Sequence, residues 1–195
     1  MKHYKIGITG GIGSGKSFVS AILVKNGVPV YDTDTAAKHL MLTDSVIRSG
    51  LIALLGEEAY DGNGLNKSLL AQYIFSNKDN AARINAIVHP RVYDDFMHWV
   101  AAQSTDVVGM ESAILFESGF DKFVDKVLMI SAPVEVRLER AMKRDKATRQ
   151  QVISRMKAQL DDAVKLQKSH YVIVNDGVHD AEAQVNQFLS GLRQE

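Results

Sequence analysis

The segment Gly10-Gly11-Ile12-Gly13-Ser14-Gly15-Lys16-Ser17 constrains this chain more than any other. It fits Gly-x-x-x-x-Gly-Lys-[Ser/Thr], follows an apolar β-branched run, Tyr4–Thr9, and opens a helical pattern from Lys16 to about Asn26 that Gly27 ends. Glycines let successive backbone N–H groups curl around a phosphate, and the helix N-terminus adds partial positive charge there. Lys16 is placed to bridge the β- and γ-phosphates of ATP, and Ser17 to ligate Mg²⁺. Gly11, Ile12, Gly13, Ser14, Gly15 and Phe18 belong to the same expected nucleotide-binding stretch. A dinucleotide fingerprint fails on register, because Lys16 stands where the third glycine of Gly-x-Gly-x-x-Gly belongs. A GTPase fails too: Asn77-Lys78-Asp79-Asn80 misplaces the aspartate of a guanine-reading motif.

Four further runs read as strands: Val28–Tyr31, Val107–Met110, Val127–Ile130 and Tyr171–Val174. They alternate with helical patterns, so the fold class is α/β, a parallel five-stranded sheet flanked by helices. From Asp34 to Asp106 only helical patterns occur: Asp44–Leu55, Lys67–Phe75 and Asn80–Ala101, with a turn at Asp61-Gly62-Asn63-Gly64. Within the last of these, His89-Pro90 is expected to break the helix, since proline suits the first turn of a new one. Residues 35–103 therefore read as a helical substrate domain inserted into a core made of 1–34, 104–132 and 161–195. Ser131 and Pro133 suit the start of a helix running to about Arg144, and a second, Thr148–Leu160, follows. Residues 133–160 are polar and basic, as a mobile lid would be.

With 23 basic against 23 acidic side chains, no global field recruits nucleic acid or an anionic membrane, so an anionic ligand needs a local basic cluster. The absence of cysteine excludes thiolate zinc sites and a Cys nucleophile, and fits a reducing cytoplasm. No apolar run is long enough for a signal peptide or a membrane span. The expectation is a cytoplasmic monomer or weak homo-oligomer.

In parallel α/β sheets ligands bind beyond the carboxyl ends of the strands. Asp32-Thr33-Asp34 follows the second strand, where one of the two carboxylates could take a proton from an acceptor hydroxyl. Glu111 ends the third strand and is placed for the magnesium's water shell. Glu117, six residues on, is either a group on the substrate side or a solvated acid. Arg137, Arg140 and Arg144 share one helix face, and Arg149 and Arg155 follow. Phosphoryl transfer needs positive charge around the equatorial oxygens, which puts Arg140 and Arg144 ahead of Arg137 and Arg155. No histidine shows metal-ligand spacing.

Taken together these residues resemble the dephospho-CoA kinases, nearly end to end. The resemblance rests on Thr9–Ser17, Asp32-Thr33-Asp34 (usually Asp-Ala-Asp), His89-Pro90, Ile114-Leu115-Phe116-Glu117, Arg140–Asp145 with Arg149 and Gln159, and Asn175-Asp176-Gly177. It implies a nucleoside monophosphate kinase-like fold with a helical CoA-binding domain and a lid. It further implies dephospho-CoA as the acceptor and Asp34 as the base for the ribose 3′-hydroxyl. His89 and Arg140 would contact acceptor or transferring phosphoryl, Arg149 would come from the lid, and Asn175 to Gly177 would lie near the adenine. Phe18 departs from the threonine usual after Gly-Lys-Ser, its ring expected in helix packing, and Ala113 from a usual proline. Another small-molecule P-loop kinase, or a nucleotide switch without an acceptor, is the alternative reading.

Overall fold

The computed structural model describes residues 3–62, 64–77 and 79–192. Asn63, in the expected turn, and Lys78 lie outside them. In chain order the elements are β1 (Tyr4–Thr9), α1 (Lys16–Lys25), β2 (Val30–Asp32), α2 (Thr33–Thr43), α3 (Ser45–Leu55), β3 (Tyr60–Asp61), β4 (Gly64–Leu65), α4 (Lys67–Ser76), α5 (Asn80–Ala101), β5 (Val107–Glu111), β6 (Lys126–Ser131), α6 (Val134–Asp145), α7 (Arg149–Lys157), α8 (Asp162–Lys168), β7 (Tyr171–Val174) and α9 (Ala181–Leu192). They form two compact units, Met1–Asp32 with Gln103–Glu195, and Thr33–Ala102.

The first unit is built on a five-stranded parallel sheet of order β2-β5-β1-β6-β7. Its central strand, β1, buries Ile6 and Ile8 completely against Val19 and Leu23 of α1, Leu128 and Ile130 of β6, and Val185 and Phe188 of α9. Gly7 leaves room for Leu115, whose Cδ2 would lie 2.8 Å from a Cβ at that position. Strand two is shifted from its expected Val28–Tyr31. Val28 is taken up by the core and Asp32 becomes the last strand residue. Pro133 stands at the N-cap of α6 in extended conformation (φ −54°, ψ 144°), so that helix starts one residue later than expected and Ser131 stays in β6. Thr148 and Gln151 close a capping box at the start of α7, which stops at Lys157, short of Leu160.

The second unit holds α2–α5 and an unforeseen antiparallel pair, β3–β4, only two residues per strand. Asp44 caps α3 by accepting the N–H groups of Val46 and Ile47, and Arg91 of α5 holds the same carboxylate at 3.0 Å. The break expected at His89-Pro90 does not occur, because α5 runs through it without interruption. Losing one helical hydrogen bond and accommodating the ring costs about 3 kcal/mol. Ile84, Val88, Val92, Phe96 and Val100, all buried along one face of α5, offset this at about 1.5–3 kcal/mol each. No helix among the described residues is long and apolar enough to cross a membrane.

Candidate active site

The loop from Gly10 to Gly15 leaves the carboxyl end of β1 with Gly13 and Gly15 in left-handed conformations (φ 77° and 90°). Space as well as φ demands glycine there. A Cβ on Gly13 would collide with the carbonyl oxygen of Arg137, and one on Gly15 with Nδ2 of Asn175. Ser14 is buried, and its hydroxyl has no protein partner among the described residues.

Side chains from later in the sequence fasten this loop. Arg137 donates through Nε to the Ile12 carbonyl at 3.0 Å and ion-pairs with Asp162. Oε1 of Gln159 accepts the Ile12 N–H at 3.0 Å, while its Nε2 donates to the Ala113 carbonyl at 3.2 Å. Asn175 donates to the Ser14 carbonyl at 2.8 Å, and its own carbonyl accepts Nη1 of Arg140 at 2.7 Å. Asn175 thus meets the phosphate loop directly. Gly177 follows in left-handed conformation (φ 88°), beyond an aspartate whose carboxylate accepts the N–H groups of Val178 and His179. Those bonds, with the His179 ring, hold the Asp176 carboxyl well below the usual carboxylate range.

Lys16, Ser17, Phe18, Arg140 and Arg144 line a cavity of about 260 Å³ together with Gly13 and Gly15. Nζ of Lys16 reaches the Gly10 carbonyl at 3.1 Å. The Ser17 hydroxyl donates to Oε1 of Glu111 at 2.9 Å, and Glu111 is the register partner of Asp32 across β5 and β2. Phe18 corrects the expectation of helix packing. α1 turns Val19, Ser20, Ile22 and Leu23 inward, and Phe18 is left 57% exposed at the cavity. A larger hollow of about 520 Å³, lined by Tyr4, Thr105 and Leu192 among others, contains none of these groups.

The arginines expected on one face divide. Arg140 and Arg144 face the cavity, whereas Arg137 is buried beneath the phosphate loop. Arg144 also binds Asp145 at 2.7 Å, and Arg155 reaches the same carboxylate at 2.7 Å, so Asp145 is held far below its ordinary titration range. Arg149 pairs with both oxygens of Glu135 at 2.8 and 2.9 Å. Glu117 accepts the Leu160 N–H at 2.8 Å and the ammonium of Lys165 at 3.2 Å.

In the second unit Asp34 occupies the first turn of α2 and is exposed. The helix begins at Thr33, two residues earlier than expected, so Asp34 is a helical residue whose charge suits the amino end. His89 is half-buried on α5, and burial pushes its imidazole below the ordinary value of 6.5.

Among the described residues no group of three or more His, Asp or Glu side chains could hold a metal. Ser17 and Glu111 nevertheless supply hard oxygen donors side by side, which fits Mg²⁺, an ion that keeps waters and binds largely through substrate phosphates. Sequence reasoning missed the structural roles of Arg137 and Lys165, because a basic residue in an amphipathic helix carries no mark of burial.

The sequence model of the dephospho-CoA kinase family matches residues 4–180. Dephospho-CoA kinase of Bacteroides fragilis is 47% identical over 191 residues, covering 97% of this chain and 93% of that protein. The Porphyromonas gingivalis enzyme of the same name is 40% identical, covering 96% and 94%. A crystal structure from Thermus thermophilus superposes with a TM-score of 0.87 at 30% identity, over 98% of both chains. On this evidence of sequence and fold, the chain belongs to the dephospho-CoA kinase family.

Proposed function

We propose that this chain transfers the γ-phosphoryl of ATP to the ribose 3′-hydroxyl of dephospho-CoA, giving coenzyme A in the last step of its synthesis. The observation that carries the reading is the cavity that joins the Gly10–Ser17 loop to Lys16, Arg140 and Arg144, in a chain of this family. A loose phosphoryl-transfer transition state spreads charge over the equatorial oxygens, and catalysis consists mainly of placing positive groups around them.

In this reading the backbone from Gly11 to Gly15, with Ser14, Lys16, Ser17 and Phe18, holds the triphosphate. Arg140 and Arg144 neutralise the charge of the transferring group, and Arg149 joins them on closure of a lid made of α6 and α7. The fit of Ser17 and Glu111 extends the reading to Mg²⁺, which when bound neutralises the β- and γ-oxygens. Asn175 and Gly177 border the nucleotide. Residues 35–103 form the acceptor domain, in which His89 contacts the acceptor, and Asp34, directly before it, accepts the 3′-hydroxyl proton. Burial favours the neutral form of His89, which suits a hydrogen-bonding group. Glu117, expected on the substrate side, also holds the Leu160 N–H and the Lys165 ammonium. The enzyme works in the cytoplasm, where ATP is supplied, as a monomer or weak homo-oligomer that engages neither nucleic acid nor membrane.

The test is a panel of acceptors with labelled ATP. Dephospho-CoA should exceed AMP and adenosine by at least about 100-fold in kcat/KM, since remote binding energy orients the reacting hydroxyl. Equal activity on AMP would move the assignment to a nucleoside monophosphate kinase, and ATP hydrolysis indifferent to acceptor would move it to a nucleotide switch.

A further inference from the structure

Lys165 is among the largest side chains that the protein encloses completely, with no exposed surface. Its ammonium lies 3.2 Å from Oε1 of Glu117 and 3.4 Å from the Ala113 carbonyl. Enclosing a charge forfeits its hydration, and well-packed apolar side chains often replace a buried ion pair without loss of stability. Packing alone therefore does not account for a lysine here.

Its two acceptors point to the reason, because each is shared with one of two consecutive residues. The Ala113 carbonyl also accepts Nε2 of Gln159, and Oε1 of Glu117 also accepts the Leu160 N–H. Gln159 turns its other end, Oε1, to the N–H of Ile12 in the middle of the phosphate loop. The carbonyl of Ile12 is held by Arg137, which is tied to Asp162 at the start of the helix that carries Lys165. Both polar groups of this one residue thus depend on the segment from Gln159 to Lys165.

We infer that Lys165, Glu117 and Gln159 form a latch that fixes the Ile12 backbone in its phosphate-receiving shape, with Lys165 a positioning residue acting through Gln159. The inference rests on the reading of Gly10–Ser17 as the ATP cradle. A cradle held ready costs no reorganisation when the triphosphate arrives, and that gain appears as affinity for the nucleotide. The latch also anchors the chain directly after α7 ends at Lys157, so any movement of α7 pivots before Gln159.

The experiment measures ATP affinity by calorimetry, dephospho-CoA turnover and Tm for the unmodified chain, Gln159→Leu, Lys165→Met and the double variant. Each single change should weaken ATP binding about five- to tenfold, the worth of one buried hydrogen bond. The double variant should be no weaker than the worse single one, because both act through the same Ile12 N–H. Multiplying losses in the double variant, or a lower Tm with ATP affinity unchanged, would overturn the latch. If Lys165→Met does not fold, Glu117→Gln, which removes the opposing charge at constant shape, takes its place in the same cycle. An unmodified chain that binds ATP but phosphorylates another acceptor overturns the proposed function and leaves the latch standing. One that binds no ATP overturns both.

Discussion

The hydroxyl of Ser17 and the carboxylate of Glu111 meet at 2.9 Å, joining the first turn of α1 to the carboxyl end of β5. Glu111→Gln keeps this hydrogen bond possible but removes the charge that favours a hard cation. The Mg²⁺ concentration for half-maximal activity should rise about tenfold, with Tm little changed. A magnesium titration of both proteins checks this, and superimposable curves would remove Glu111 from the ion's surroundings.

Two glycines of similar φ separate strain from collision. Gly13 (φ 77°) abuts the backbone of Arg137, whereas a Cβ at Gly27 (φ 83°) would meet nothing within 4 Å. Gly13→Ala should abolish measurable ATP binding and lower Tm by roughly 5 °C. Gly27→Ala should cost about 1 kcal/mol of stability and leave kcat unchanged. Calorimetry and thermal melts of the two variants make the comparison.

The aspartates around the β2–α2 junction differ in setting. Asp32 ends a strand in register with Glu111, and Asp34 stands on the first turn of a helix. Asp34→Asn should lower kcat by about 10²–10⁴-fold with ATP binding intact, as loss of a positioned base does. Asp32→Asn should cost less. The reverse ranking in steady-state kinetics would transfer the base role to Asp32.

Arg149 is paired with both oxygens of Glu135, and the proposed lid role requires it to exchange that carboxylate for the phosphoryl group. Arg149→Ala should therefore reduce kcat about tenfold or more while changing the ATP KM less than threefold, since its contact forms only on closure. A loss confined to KM would place Arg149 in ground-state binding.

His89 gives the second unit an acid limit. Its folded value lies below the 6.5 of the free side chain, so the unfolded chain binds the proton more readily. Its contribution is intact above pH 6.5 and is lost as pH falls from there through the folded value. His89→Gln should flatten the decline in Tm between pH 7.5 and pH 5, and an unchanged slope would assign the decline to other groups.

The sheet was legible because buried parallel strands are continuous apolar runs. Tyr4–Thr9 and Tyr171–Val174 fall where periodicity puts them. The phosphate loop was legible because its chemistry is local in sequence. What holds that loop was not, since Arg137, Gln159 and Asn175, though singled out, lie more than a hundred residues away and carry no local mark of bonding to it. Pro90 misled for the opposite reason. A local rule against proline inside helices yields to five buried side chains that only the tertiary structure reveals. The outward turn of Phe18 follows from the face that α1 buries, Val19, Ser20, Ile22 and Leu23, which only packing reveals.

The order of synthesis gives these tethers a temporal meaning. Residues Gly10–Ser17 are made before Arg137, Gln159 and Asn175, which fasten them, by more than a hundred residues. The neighbours of β1 on either side, β5 and β6, are likewise about a hundred residues downstream. The Thr33–Ala102 unit, by contrast, is one continuous stretch whose internal contacts all lie within about seventy residues of chain. A nascent chain therefore has this unit in hand before the Gly10–Ser17 loop is fastened, and a ribosome that stalls short of Asn175 leaves the Ser14 carbonyl without its tether.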